Sequence, residues 1–522
     1  MTSRNQIRED TPAIELKGIC KSFGSVKANK DISITVARNT IHGIIGENGA
    51  GKSTLMSILY GFYKADKGEI FIAGKKTNIR DSQTAIMSGI GMVFQHFKLV
   101  ENFTVLENII LGVENSGLLK HALSNARQTL SNLEQEYELR VPPDSLIEDL
   151  GVGAQQRVEI LKALYRGADI LILDEPTGVL TPLEADQLFR ILRRLRSEGK
   201  TIILITHKLR EIMDVTDCVS VMRQGQIVHH VETSKTSPDQ LAELMVGRKV
   251  LLRVDKRPAQ PGRPVLEIDN LQVIDNLGVQ RLKGINLTVK KGEILGIAGV
   301  AGNGQSELLK VLGGMQAATG TVRINGRSID LSGPRSNGQY RRSNGVAHVP
   351  EDRQREGLIM EYHAWENIAF GYHRDLTYQK NRFTMNNAAL RKDTSGKMNR
   401  FDVRPVDTWL KAKNFSGGNQ QKIVVAREIE RNPDLLLVGQ PTRGVDIGAI
   451  EFVHKKIINL RDQNKAILLV SVELSEILSL SDRIAVMFDG FIMGERLPNA
   501  TNEKELGLLM AGVRDDTLCS AN

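Results

Sequence analysis

Cysteine is scarce, with three residues in 522. Cys20, Cys218 and Cys519 are scattered, odd in number and free of any CxxC or metal-ligand spacing, which argues against a disulfide framework and a zinc site. The expectation is buried small apolar residues and one tail thiol. Long apolar runs are missing too: nothing approaches the ~18 residues of a membrane helix, and stretches such as 466–472 are strand-length. The opening MTSRNQIREDTPAIE has no apolar core, so no signal peptide is expected. A soluble, intracellular chain is the expectation. Extensive disorder is excluded, because 41% hydrophobic and 25% charged residues is the balance of a packed protein. The net charge of +8 suits nucleic acid, an anionic membrane face or a nucleotide, and does not choose among them.

What is present is an internal duplication. GIIGENGAGKSTL from Gly43 returns as GIAGVAGNGQSEL from Gly296, LGVGAQQRVEI from Leu150 as FSGGNQQKIVV from Phe415, and LILDEPTGVLTP from Leu171 as LLVGQPTRGVDI from Leu436. Gly46 and Gly299 are 253 residues apart and Gln95 and Glu351 256, whereas Leu150 and Phe415, Asp174 and Gly439, and His207 and Val472 are each 265 apart. The second half therefore carries an insertion between the second and third landmarks. The Pro-, Gly- and Arg-rich LLRVDKRPAQPGRPV reads as the junction. Two repeats are expected, 12–250 and 264–512, with a linker at 251–263 and a tail at 513–522. Apolar strands at 41–45, 170–173 and 201–205 alternate with helical patterns, which predicts a largely parallel α/β sheet in each half. The stretch between Gln95 and Leu150 is poor in strand signals and reads as an inserted helical subdomain.

Gly46, Glu47, Asn48, Gly49, Ala50, Gly51, Lys52 and Ser53 spell GxxxxGK[ST] between a strand and a helix expected from Lys52 to Tyr60. Such glycines let backbone N–H groups turn inward around phosphate oxygens, with the helix N-terminus adding its positive dipole. Lys52 then reaches the β- and γ-phosphates and Ser53 binds Mg²⁺. Asp174 and Glu175 end an apolar strand; Asp174 suits Mg²⁺ and Glu175 a general base for the attacking water. Gln95, after the strand GMVF, is a candidate to touch metal and water, and His207, at the end of the strand TIILITH, a candidate to hold the γ-phosphate; taken alone, each residue more often plays an ordinary structural part.

These landmarks, all present and in order twice, resemble the ATP-binding-cassette (ABC) family over roughly residues 12–512. The resemblance implies two tandem P-loop NTPase domains, each an α/β core with a helical subdomain, facing head to tail. It implies ATP held between the phosphate loop of one cassette and the LSGGQ signature of the other, here Ser416, Gly417, Gly418 and Asn419. It also implies that Thr54 belongs to the nucleotide-binding loop and that Phe23 stacks on adenine. VPEDR from Val349, QPTRGVD from Gln440 and GNGQSEL from Gly302 look like the sugar and nucleoside importers. Separate membrane permeases, an extracytoplasmic solute-binding protein and a peripheral location at the cytoplasmic membrane face are then implied, with ATP and Mg²⁺ as cofactors and no nucleic acid.

The copies are not equivalent. Lys52 becomes Gln305, Thr54 becomes Glu307, Gln95 becomes Glu351, Asp174 becomes Gly439, Glu175 becomes Gln440 and His207 becomes Val472, while Phe23 aligns near Asp275. The signature is biased the other way: Leu150, Gly151, Val152, Gly153 and Ala154 lack the serine hydroxyl. Asp446 matches the family's loop aspartate and its counterpart Thr181 does not. One competent composite site and one dead site are expected. The short basic stretches at Tyr340 and Leu390 read as solvated faces. An alternative, a tandem-cassette factor acting on ribosomes, fits the basic pI, but such proteins keep both sites intact and carry a long charged linker.

Overall fold

Each half of the chain builds the same two sheets. The computed structural model describes residues 11–24, 26–94, 97–112, 119–178, 180, 182–249, 256–300, 302–333, 335–381, 384–445 and 447–513. Two compact units emerge, Met1–Val250 and Leu251–Asn522. Lys256, in the expected linker, ties to the second unit through the Leu480 carbonyl at 2.9 Å and Asp482 at 3.1 Å.

In the first unit a six-stranded sheet runs in the order Gln226–Glu232, Cys218–Arg223, Ile41–Gly46, Thr201–Thr206, Ile170–Asp174, Ile90–Val93. It is parallel except for its first strand, which pairs antiparallel. A four-stranded antiparallel sheet accompanies it. The second unit repeats both sheets in the same order, and the register repeats as well. Ile41 pairs with Ile202 and, at the sequence offsets, Ile294 with Ile467; Asp174 pairs with Ile205 and Gly439 with Val470.

The central strands are buried on both faces, as parallel sheets covered by helices require. Alternation along them divides the core in two. Ile170, Ile172, Ile203 and Ile205 pack beneath the phosphate-loop helix with Leu55 and Met56. Leu171, Leu173, Ile202 and Leu204 pack on the other side with Val105, Ile109 and Leu161. Each such fully buried side chain contributes roughly 1.5–3 kcal/mol.

The insertion in the second half has two parts. A bridge joins Thr104 to Leu146 in one copy and His363 to Lys411 in the other. A single π-turn, Arg353–Gly357, precedes this bridge in copy two, as expected of a local insertion. Beyond it a small hairpin, Gln379–Asn381 with Thr384–Met385, adds strand structure to a region expected to be helical. Helices Ala364–Ala369 and Asn387–Arg400 complete that subdomain, as Val105–Ile110 and Leu119–Tyr137 do in copy one. Among the described residues no helix is long and apolar enough to cross a membrane.

Two sequence expectations are corrected. The stretch at Tyr340 is not a solvated face: Arg341 is fully buried, donating to the Asp330 carbonyl at 2.9 Å, and Arg342 stacks over Tyr372. Cys20 and Cys218 are half-buried free thiols rather than core residues. Cys218 faces a polar group, its Sγ lying 3.2 Å from His42 Nδ1; Cys519 lies outside the described residues.

Candidate functional site

The strand Ile41–Gly46 runs into the loop that turns the chain into helix Lys52–Leu59. The turn requires glycine twice. Gly51 caps the helix at φ 100°, and a Cβ there would lie 2.3 Å from the Ala28 carbonyl oxygen. Gly49 sits at φ 82° with open space around it. Asn29, which sequence reasoning missed, steadies this turn by donating to the Gly51 carbonyl at 3.1 Å. Ala50 is buried, Asn48 and Ser53 are exposed, and Glu47 and Thr54 are half-buried.

Lys52 is only 6% exposed. Its Nζ donates to the carbonyls of Gly46 at 2.7 Å and Glu47 at 3.1 Å. Burial lowers its pKa, and the charges of Glu175, Asp174 and Glu47 oppose that shift. The ammonium thus sits inside the loop it is expected to serve.

Asp174 is the last residue of its strand, and Glu175 follows at φ 48°. This left-handed kink comes directly after the strand, and the charges of the two carboxylates act on each other. Burial and the charge of Glu175 push Asp174 above the usual carboxylate range, against a hydrogen bond from Ser53 and the charge of Lys52. For Glu175, burial also favours protonation, but His207, Lys52 and Lys208 outweigh it and leave the carboxyl below its ordinary value. His207 Nδ1 lies 2.9 Å from Glu175 Oε1. The Ser53 hydroxyl and Asp174 carboxylate form a hard oxygen set that fits Mg²⁺.

Sequence reasoning also missed Glu211. This buried carboxyl accepts a hydrogen bond from Thr177, two residues past the candidate base, and sits four residues past His207. Its signal was present in the helix Leu209–Val215, as an acidic residue facing the core. Phe23 ends its strand 43% exposed, edge-on to Tyr63 at 5.1 Å and beneath the Lys21 ammonium. Gln95 and Asp446 lie outside the described residues.

Copy two keeps the scaffold of this site and changes its chemistry. Gly302 and Gly304 hold φ 93° and 106°, and Gln440 keeps the kink at φ 47°. The Gln305 amide donates to the Val300 carbonyl at 3.1 Å. Gln440 Oε1 accepts from the Val472 backbone N–H at 3.3 Å, where copy one has the His207 to Glu175 pair.

The signature of copy two opens helix Gly417–Ile429, with Ser416 as its N-cap accepting from the Asn419 N–H. A Cβ on Gly417 would lie 2.8 Å from the Gly444 carbonyl and 2.6 Å from Arg353 Nη2, so the glycine is required there. Gly418 is buried and Asn419 Oδ1 accepts from the Arg404 N–H at 2.8 Å. The matching helix of copy one, Val152–Tyr165, starts at Gly151 with no side-chain cap.

The ABC transporter family model matches residues 29–178 and 282–443. The nucleoside import ATP-binding protein NupA of Lactococcus lactis subsp. cremoris is 47% identical over 96% of this chain and 98% of that protein. The guanosine import ATP-binding protein NupO of Bacillus subtilis is 47% identical over 98% of this chain and 99% of its own length. The glucose import ATP-binding protein TsgD13 of Haloferax volcanii is 43% identical, covering 97% of both chains. With two family matches, a duplicated sheet and a phosphate loop carrying a buried lysine, the chain belongs to the ABC transporter family as a tandem pair of ATP-binding cassettes.

Proposed function

We propose that this chain is the ATP-hydrolysing subunit of an importer for a small solute, a nucleoside or a simple sugar, and that it carries one competent hydrolytic site. Residues 12–250 and 264–512 are assigned to the two cassettes. The import proteins to which the chain is similar support the class, and give no support to the ribosome-acting alternative. The observation that carries the single site is the confinement of Lys52, Asp174 and the Glu175 to His207 pair to copy one.

The chemistry is mostly positioning and electrostatics. Phe23 offers a ring for the adenine. The loop N–H groups and Lys52 take the phosphates, Lys52 exchanging its backbone carbonyls for phosphate oxygens. Ser53 and Asp174, with Gln95, are assigned as the residues that would hold Mg²⁺, which would supply positive charge to offset that of the phosphates. Glu175, kept ionised by His207, accepts the proton of the attacking water. His207 holds that carboxylate in place and faces the γ-phosphate. Ser416, Gly417, Gly418 and Asn419 of copy two serve the same hydrolytic event, and Asp446 is assigned to it as well.

The membrane span is then supplied by separate permease subunits, with an extracytoplasmic solute-binding protein delivering solute. The chain sits peripherally at the cytoplasmic face. The test is ATP turnover by the full chain in its complex. Glu175→Gln is expected to lose ~10²–10⁴-fold or more, while Gln440→Ala stays near the parent rate. Substantial turnover in Glu175→Gln overturns the assignment. Screening the co-purified binding protein against nucleosides and pentoses identifies the solute.

A further inference from the structure

In copy one the carboxylate facing the loop hydroxyl comes from the strand Ile170–Asp174, as Asp174 opposite Ser53. In copy two that strand ends in Gly439, and a carboxylate arrives from the neighbouring strand instead. Glu351 follows the strand Val346–Val349 by two residues, and its Oε2 accepts a hydrogen bond from the Ser306 hydroxyl. Ser306 is the counterpart of the metal-binding Ser53.

The glycine makes room for this arrangement. A Cβ built on Gly439 would lie 2.6 Å from Glu351 Cγ and 3.0 Å from the Glu351 backbone nitrogen. An aspartate at 439 and Glu351 in its present place are therefore mutually exclusive. The rest of the loop is shaped for phosphate, with its two glycines still left-handed. The cation is gone: the Gln305 amide folds back onto the Val300 carbonyl. Copy two thus has a phosphate-shaped loop whose hydroxyl is already engaged by a fixed anionic side chain. Like charges repel in such a site, and no lysine ammonium offsets them at position 305. The residues present do not fit a Mg²⁺–nucleotide in the manner of copy one.

We propose that Glu351 occupies the phosphate-and-metal seat of copy two and closes that loop to Mg·ATP. This rests on the reading of copy one as the hydrolytic copy, and it adds the residue responsible for the silence of copy two. Glu351 acts as an internal stopper whose removal is sufficient to restore measurable nucleotide binding.

The experiment counts labelled Mg·ATP bound per full chain by equilibrium dialysis. Glu175→Gln serves as the background, so that turnover does not confuse the count. One equivalent per chain is expected. Adding Glu351→Gln, which keeps the size of the side chain and a hydrogen-bonding partner for Ser306, is expected to bring in a second, weaker equivalent. The gain in affinity at copy two is at least ~10-fold. Glu351→Ala gives the same result if the charge is what matters, and unchanged melting of both variants shows that the fold is intact. Two equivalents already present in Glu175→Gln alone overturn the proposal. So does a second equivalent that Glu351→Gln weakens, which would make Glu351 a metal ligand. Failure of Glu351→Gln and Glu351→Ala to add binding also overturns it, leaving Gln305 and Glu307 as the cause. The underlying reading fails separately, by hydrolysis persisting in Glu175→Gln.

Discussion

At the scale of single residues, the chemistry-bearing side chains were legible in the sequence and their states were not. GxxxxGK[ST] announces Lys52, but only the fold reveals it buried and bonded to the Gly46 and Glu47 carbonyls. The kink at Glu175 is a backbone property that no residue type announces, since glutamate seldom adopts positive φ. His207 was expected to reach phosphate, and its hydrogen bond to Glu175 adds a second role. Burial raises the Glu175 pKa and His207 is the leading force against it. His207→Ala therefore shifts the acid limb of the kcat/KM profile to higher pH, as well as lowering the rate. A profile with an unmoved acid limb would contradict that role. His42 gives a stability prediction. It is buried beside Ser220 at 2.9 Å and Cys218 at 3.2 Å and stacks on His230. Burial, then the charge of His230, lowers it from 6.5 to about 3. Below pH 6.5 the unfolded chain binds a proton that the folded chain refuses, so stability falls as pH drops toward 3. The loss reaches about 2 kcal/mol by pH 5. Copy two has Leu295 at this position. His42→Leu should flatten the decline in denaturant midpoint between pH 7 and pH 5.

At the scale of elements, the central strands were the most legible part, because a run such as ILIL at 170–173, buried on both faces, is apolar until the carboxylate that ends it. The helical subdomain was less so. Its hairpin at Gln379–Asn381 and Thr384–Met385 comprises three- and two-residue strands, too short to leave a period to read. Arg341 was misread because charge runs usually lie in solvent, whereas here a carbonyl on the Asp330 turn accepts the guanidinium inside the unit. The two signature helices differ at the residue that caps them. Ser416 caps Gly417–Ile429 through its hydroxyl, while Gly151 offers Val152–Tyr165 nothing. Ser416→Ala should destabilise the second unit by about 1 kcal/mol and also suppress ATP turnover. Gly151→Ala, on the uncapped helix, should leave turnover near the parent value. Ser416→Gly separates the two effects, because glycine is a tolerable cap but supplies no hydroxyl. Stability recovers in that variant and turnover does not.

At the scale of the whole molecule, duplication followed by opposite losses is the organising event. The sheet order and strand register agree in both units down to equivalent pairs, so the same scaffold holds two different sets of loop chemistry. The losses are complementary: the loop chemistry stayed in the first unit and the capped signature in the second. That pattern is expected if the loop of one unit and the signature of the other serve a single event, and it has no such reason if each unit works alone. A double-mutant cycle distinguishes the two. Groups that act as one catalytic unit are strongly non-additive, because losing either already removes what both support. Lys52→Ala and Ser416→Ala should each suppress turnover, and the double variant should be little slower than the slower single. If the first unit hydrolysed ATP alone, Lys52→Ala would still suppress turnover, but Ser416→Ala, made in the unit that lacks the loop chemistry, would leave it at the parent rate. Measuring the four rates at saturating ATP, with melting curves to verify folding, therefore tests whether the two halves of this chain make one engine or two.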